Sequence, residues 1–219
     1  MRVLVFSDSH LSARFEKRKF ELLKRIITEA DRVIINGDFW EGHLTTFQKF
    51  IDSPWKQLFP LLKEKKAVYL YGNHDRESYS DKGVELFSVQ HGRRYTMKIG
   101  AIEFVFEHGD RICPMVEEDS VLNKFILVIQ HTFNISELIV FRYLNRIFTK
   151  YAYGRYNTQI KTALKKELKP HQFFICGHTH YAEYDPERRF ANSGFVRHGL
   201  AQYILIEDGI IVPKEEWYA

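Results

Sequence analysis

The chain has 219 residues, 45% hydrophobic and 27% charged, which excludes a wholly disordered chain and leaves room for one sizeable domain or two small ones. Its 32 basic and 28 acidic side chains give a formal net charge of +4, too small an excess to argue nucleic-acid binding by itself. Two cysteines, Cys113 and Cys176, exclude a disulfide framework and suit a reducing compartment.

In chain order, residues 3–6 form a short apolar run that reads as a buried strand and turns polar at Ser7-Asp8-Ser9-His10. The run is too short for a signal-peptide core or a membrane span, so a cytoplasmic protein is expected. Residues 15–30 read as an amphipathic helix with Phe20, Leu23, Ile27 and Ala30 on one face. A second strand over 32–35 ends at Asn36-Gly37-Asp38. Helical stretches follow over 44–51 and 54–65, the latter opening on proline. A third strand over 67–71 ends at Gly72-Asn73-His74-Asp75. Strand, helix, strand, helix, strand is the pattern of a layered α/β sheet.

The second half opens on a hairpin, 95–99 and 101–107 around Gly100, which runs into His108-Gly109-Asp110. Residues 117–168 read as mostly helical. A strand over 173–176 ends at Gly177-His178-Thr179-His180. Shorter strands are expected over 181–184, 189–192, 203–207 and 210–212, with turns at Asp185-Pro186 and Asp208-Gly209. With no repeat or low-complexity linker, the expected organisation is one domain over 1–219 with a helical insertion over about 117–168.

The chemistry-bearing residues each follow an apolar run: Asp8 and His10, Asp38, Asn73 to Asp75, His108 and Asp110, His178 and His180. Open α/β sheets bind ligands past the carboxyl ends of their strands, so these clusters are expected to meet on one rim. Mixed imidazole and carboxylate donors suit Mn²⁺, Fe or Zn²⁺ better than Ca²⁺ or Mg²⁺. Two such metals sit roughly 3.5–4 Å apart, and a carboxylate such as Asp38 has two oxygens to share between them. Asp8-Ser9-His10 or Gly72-Asn73-His74-Asp75 alone is ordinary turn chemistry, and the paired imidazoles of Gly177-His178-Thr179-His180 after a buried strand are a stronger sign; their joint occurrence at successive strand ends is what points to metal.

This motif series resembles that of the calcineurin-like metallophosphoesterases, from Asp8-Ser9-His10 through Gly37-Asp38, Gly72-Asn73-His74-Asp75 and His108-Gly109-Asp110 to Gly177-His178-Thr179-His180. The resemblance implies a four-layer α/β/β/α sandwich and a dinuclear centre. Asp8, His10 and His180 would bind one metal, and Asn73, His108 and His178 the other, with Asp38 bridging. His131 competes with His108 for the fourth motif; His108 is preferred because a hairpin strand leads into it. Mn²⁺ is the first expectation for both sites, with Fe, Zn, Ni or Co as alternatives. The implied reaction is hydrolysis of a P–O bond by metal-activated hydroxide, with His74 serving the leaving oxygen and Asp75 orienting its ring.

Within the family, the fourth motif and the insertion resemble the UDP-2,3-diacylglucosamine pyrophosphatases, although those enzymes often carry Arg where this chain has His74. The insertion is dense in apolar and aromatic residues from Phe133 to Tyr156, interleaved with Arg142, Arg146, Lys150 and Arg155. It reads as amphipathic helices packed on the body, as a lid gripping acyl chains at the inner face of an anionic membrane, or as a nucleic-acid groove. A nucleotide-linked lipid diphosphate is therefore the substrate expected. The alternatives are a phosphodiesterase or nuclease acting on cyclic nucleotides or nucleic acid, and a non-catalytic scaffold. His43, His91, His171 and His198 fall outside the motif series and read as structural or exposed.

Overall fold

Successive strand residues point to opposite faces, and here both faces are apolar. The computed structural model describes residues 1–114 and 145–218. Its elements are β1 (Arg2–Phe6), α1 (Lys17–Thr28), β2 (Arg32–Asn36), α2 (Phe47–Asp52), α3 (Phe59–Glu64), β3 (Val68–Leu70), β4 (Gln90–Gly92), β5 (Arg94–Ile99), β6 (Ile102–Glu107), α4 (Asn145–Glu167), β7 (Gln172–Cys176), β8 (Glu183–Asp185), β9 (Phe190–Asn192), β10 (Val196–Arg197), β11 (Leu200–Glu207) and β12 (Ile210–Trp217).

The strands form two sheets. In the first, β1, β2, β3 and β4 are mutually parallel neighbours, and β11 adds antiparallel to β1. The β11 strand also pairs with β10 and, along its whole length, with β12. The second sheet runs β5-β6-β7-β9-β8, with β6, β7 and β9 parallel.

Val3, Val5, Ile34, Val68 and Leu70 of the first sheet pack against Met97, Phe104, Phe106, Phe173 and Ile175 of the second. The intervening residues face the other way. Leu4, Phe6, Val33, Ile35 and Tyr69 meet α1, α2 and α3, while Val105, Phe174 and Cys176 meet Ile160 and Leu164 of α4. The result is the four-layer α/β/β/α sandwich that the motif series implied. No helix among the described residues is long and apolar enough to cross a membrane.

Several boundaries differ from the sequence reading. The helix expected over 54–65 is a 3₁₀ turn, Pro54–Leu58, followed by α3. Pro60 lacks an N–H and crowds the preceding turn, so one continuous α-helix is interrupted there. The helix expected from 44 begins at Phe47, because the Thr46 side chain accepts from Lys49 N and caps it. The β4 strand was missed, since Gln-His-Gly at an exposed edge carries no apolar signal. The β12 strand runs on past Pro213, which an edge strand tolerates. Of the insertion expected over 117–168, only α4 falls within the described residues; His131 and the aromatic run from Phe133 to Tyr143 lie outside them.

Candidate metal centre

The motif residues sit in the turns that leave β1, β2, β3, β6 and β7. Both sheets deliver these turns to one rim, and hydrogen bonds across the sandwich hold the rim shut. Asn36 Nδ2 donates to the Ile175 carbonyl at 3.0 Å, and His178 N donates to Asp8 Oδ2 at 3.0 Å. Close approach requires glycine: a Cβ at Gly177 would lie 2.2 Å from Ser7 Oγ and 2.4 Å from Asp8 Oδ2.

Asp8, His10, Asp38 and His178 are buried, as is His108. One group brings together Asp8, His10 and His180; a second joins Asp8, Asp38 and His108. His180 Nε2 lies 3.1 Å from Asp8 Oδ1 and 3.4 Å from His10 Nε2. His108 Nε2 lies 3.2 Å from both Asp38 Oδ2 and Asn73 Oδ1. His178 Nδ1 is 2.9 Å from the same Asn73 oxygen. The structure thus gathers all seven residues expected to hold metal.

The far side of each ring is equally informative. His10 Nδ1 donates to Glu41 Oε2 at 2.9 Å, His108 Nδ1 to the Asn36 carbonyl at 3.0 Å, and His178 Nε2 to the Cys113 carbonyl at 2.8 Å. An oxygen that takes one ring N–H fixes the tautomer and leaves the other nitrogen with a lone pair facing inward. That is the arrangement a metal-binding imidazole needs. Asp8 Oδ1 fits as well, being a buried carboxylate oxygen that faces the His180 ring nitrogen at 3.1 Å. The donor set of imidazole nitrogen, carboxylate and amide oxygen suits a borderline divalent cation.

Charges in this closed space shift one another. Burial pushes the Asp8 carboxyl up, but the neighbouring His180 and His108 outweigh it and hold Asp8 at about 2. Asp38 is likewise held well below the usual range, burial being overcome by His108 and His74. Burial brings His10 down to about 3, with the charge of Arg197 adding. His108 goes the other way: burial opposes its protonation, yet Asp38 and Asp8 raise it well above the ordinary value, so a cation there would displace a proton from its inward nitrogen.

His74 stands beside this cluster, its ring edge-on to His10 at 4.6 Å between centroids. Its Nδ1 donates to Glu41 Oε1 at 2.8 Å. Asp75, expected to orient that ring, instead accepts from the backbone N–H of Asp38 at 3.1 Å, Phe39 at 2.7 Å and Gly72 at 2.6 Å. It ties the Asp38 turn to the Asn73 turn, and Glu41 takes over the orienting contact. Burial and the Asp38 charge push the Asp75 carboxyl up to about 7.

Glu41 is therefore the residue the sequence reading missed. Only the structure shows why: Phe39 and Trp40 are buried in the core, which turns Asp38 and Glu41 back toward the rim. His43, read as structural or exposed, packs its ring 4.7 Å from that of His74. Asp110 does not join the cluster; it pairs with Arg93 at 2.7 Å. Asp8, His10, Asp38, His178 and His180 all hold left-handed φ, between 44° and 67°, a conformation L residues avoid unless their surroundings enforce it.

Among curated proteins, none matches the chain by sequence. Vps29 from Entamoeba histolytica, solved with zinc, is similar over 100% of both chains at 15% identity and a TM-score of 0.51. Yfce, a phosphoesterase from E. coli, is similar over 100% of both chains at 13% identity and a TM-score of 0.47. At 15% identity the likeness to Vps29 speaks to the fold alone. The calcineurin-like phosphoesterase superfamily domain matches residues 1–203, and the chain belongs to that family of metal-dependent phosphoesterases.

Proposed function

We propose that the chain is a dinuclear phosphoesterase whose two divalent cations are held by Asp8, His10 and His180 on one side and Asn73, His108 and His178 on the other, with Asp38 shared. The observation that carries this reading is the paired orientation of His10, His108 and His178: one nitrogen tied outward to an oxygen, the other facing Asp8 and Asp38 or, for His178, the Asn73 amide oxygen. Cations bound there would activate water at neutral pH and neutralise charge developing on the phosphoryl oxygens. The protein's own part is to hold the donors fixed and dry, so that no reorganisation is needed during the reaction. His74, oriented by Glu41, moves a proton to the leaving oxygen. Glu41 is held well below the usual carboxylate range, because its bonds to His10 and His74 outweigh its burial. It stays ionised and holds the His74 ring through Nδ1.

Mn²⁺ is the cation we assign first, on the donor set. Hydrolysis of bis-p-nitrophenyl and p-nitrophenyl phosphate, with Mn²⁺, Ni²⁺, Co²⁺, Zn²⁺ or Mg²⁺ added to stripped protein, tests the class. A chain that binds metal yet hydrolyses neither compound would instead be a scaffold on this fold. For the substrate we carry forward a UDP-diacylglucosamine-like diphosphate, met by a cytoplasmic protein at the membrane's inner face. Burying acyl carbons contributes about 0.8 kcal/mol per methylene, enough to dominate selectivity. Turnover of that compound, its deacylated analogue, cyclic nucleotides and single-stranded DNA should be compared side by side. Equal rates with and without acyl chains would remove the lipid reading in favour of a soluble phosphodiesterase or nuclease.

A further inference from the structure

His178 and His180 lie in one short turn, and both hold left-handed backbone, with φ of 67° and 55°. Such residues persist only where something outside the turn over-determines its shape. Two buried asparagines supply that restraint. Asn192, at the end of β9, donates to the Gly177 carbonyl at 2.7 Å and to Thr179 Oγ1 at 3.0 Å, the residues on either side of His178. Asn157, on α4, accepts from Thr179 Oγ1 at 2.7 Å and donates to the Tyr181 carbonyl at 3.0 Å, the residues on either side of His180. The two amides also meet, Asn192 Nδ2 lying 3.1 Å from Asn157 Oδ1. Asn157 is fully buried and also donates to Glu183 Oε2 at 2.9 Å, so neither end of its amide is idle. A satisfied network of this kind fixes one geometry; losing a member leaves buried polar atoms unpaired.

We infer that Asn157, acting through Thr179 and with Asn192, is a positioning residue that holds the His178–His180 turn in its metal-binding conformation. The inference rests on the metal-centre reading above. It makes α4 part of the catalytic apparatus, although the helix supplies no group that touches substrate. The burial of a polar Asn157 on a helix that packs through Ile160 and Leu164 is thereby explained.

The test is the affinity of the metal-stripped chain for Mn²⁺ by isothermal titration calorimetry, with melting temperature followed in parallel. Asn157→Ala and Thr179→Val should each weaken Mn²⁺ binding about 10–100-fold, the usual effect of losing a group behind a metal ligand. Thr179→Ser keeps the hydroxyl and should bind as wild type. Leu23→Ala, a cavity in the core on α1 remote from the turn, should lower the melting temperature without weakening Mn²⁺ binding. Thr179→Val binding as tightly as wild type would overturn the proposal, as would an equal loss in Leu23→Ala. Should Asn157→Ala fail to fold, the Thr179 pair decides alone. A wild-type chain that takes up no metal is a different failure, visible in the first titration, and sinks the metal-centre reading itself.

Discussion

At the scale of single residues, the centre divides into side chains that would hold metal and side chains that would not, and substitution separates them. Asp38→Ala should empty the centre and abolish turnover. His74→Ala should keep its metal and lower turnover by ~10²–10⁴-fold if the ring is a general acid. Metal content by mass spectrometry beside turnover checks both; a His74→Ala variant stripped of both metals would show the ring to be a ligand. All of these residues were legible in the sequence because each motif directly follows an apolar strand. Glu41 was not, because one carboxylate beyond two aromatics reads as loop until the core is seen to claim Phe39 and Trp40. A second residue-scale prediction concerns Lys19, buried on α1 and donating to the Ser9 carbonyl at 2.6 Å. Burial, against the pull of Glu16, brings its ammonium down from 10.5 to about 8. Below pH 8 it is charged in both folded and unfolded chains, and its burial weakens the fold. Between about 8 and 10.5 the folded chain gives up a proton that the unfolded chain keeps, so its contribution to stability rises with pH. The melting difference between wild type and Lys19→Met should climb across that window; a flat difference would mean the ammonium is not so perturbed.

At the scale of elements, the aromatic cluster beneath the first sheet governs the turn that carries Asp38 and Glu41. Phe50 of α2 packs its ring 5.6 Å from Phe39 and stacks at 5.9 Å on Trp40, the two residues inside that turn. Phe50→Ala should cost ~3–5 kcal/mol of stability by urea unfolding and should also slow turnover, since the turn loses its anchor. Full turnover in a destabilised Phe50→Ala protein would show the turn to be self-supporting. The central strands were readable because both faces are apolar, giving continuous runs such as Val3 to Phe6. Edge elements were not: β4 and β10 are held by neighbours rather than by their own composition, and the 3₁₀ turn before α3 reflects one proline inside a good helical pattern.

At the scale of the whole molecule, two sheets meet at a rim where Asp8 and Asp38 lie buried among imidazoles, so cations should act as a cross-brace between them. Mn²⁺ at a hundredfold its dissociation constant should raise the unfolding free energy by about 2.7 kcal/mol, and EDTA should reverse it. Unfolding curves with and without Mn²⁺ measure this directly; superimposable curves would mean the rim is complete without metal.

The left-handed backbone at Asp8, His10, Asp38, His178 and His180 sets durability against the proposed metal binding at the same five positions. Each such residue costs roughly 1–2 kcal/mol that glycine would escape. His180→Gly should therefore melt above His180→Ala, the reverse of the order at an ordinary position. A population of variants selected only to survive heating would drift toward glycine at these sites, growing sturdier as it lost its chemistry.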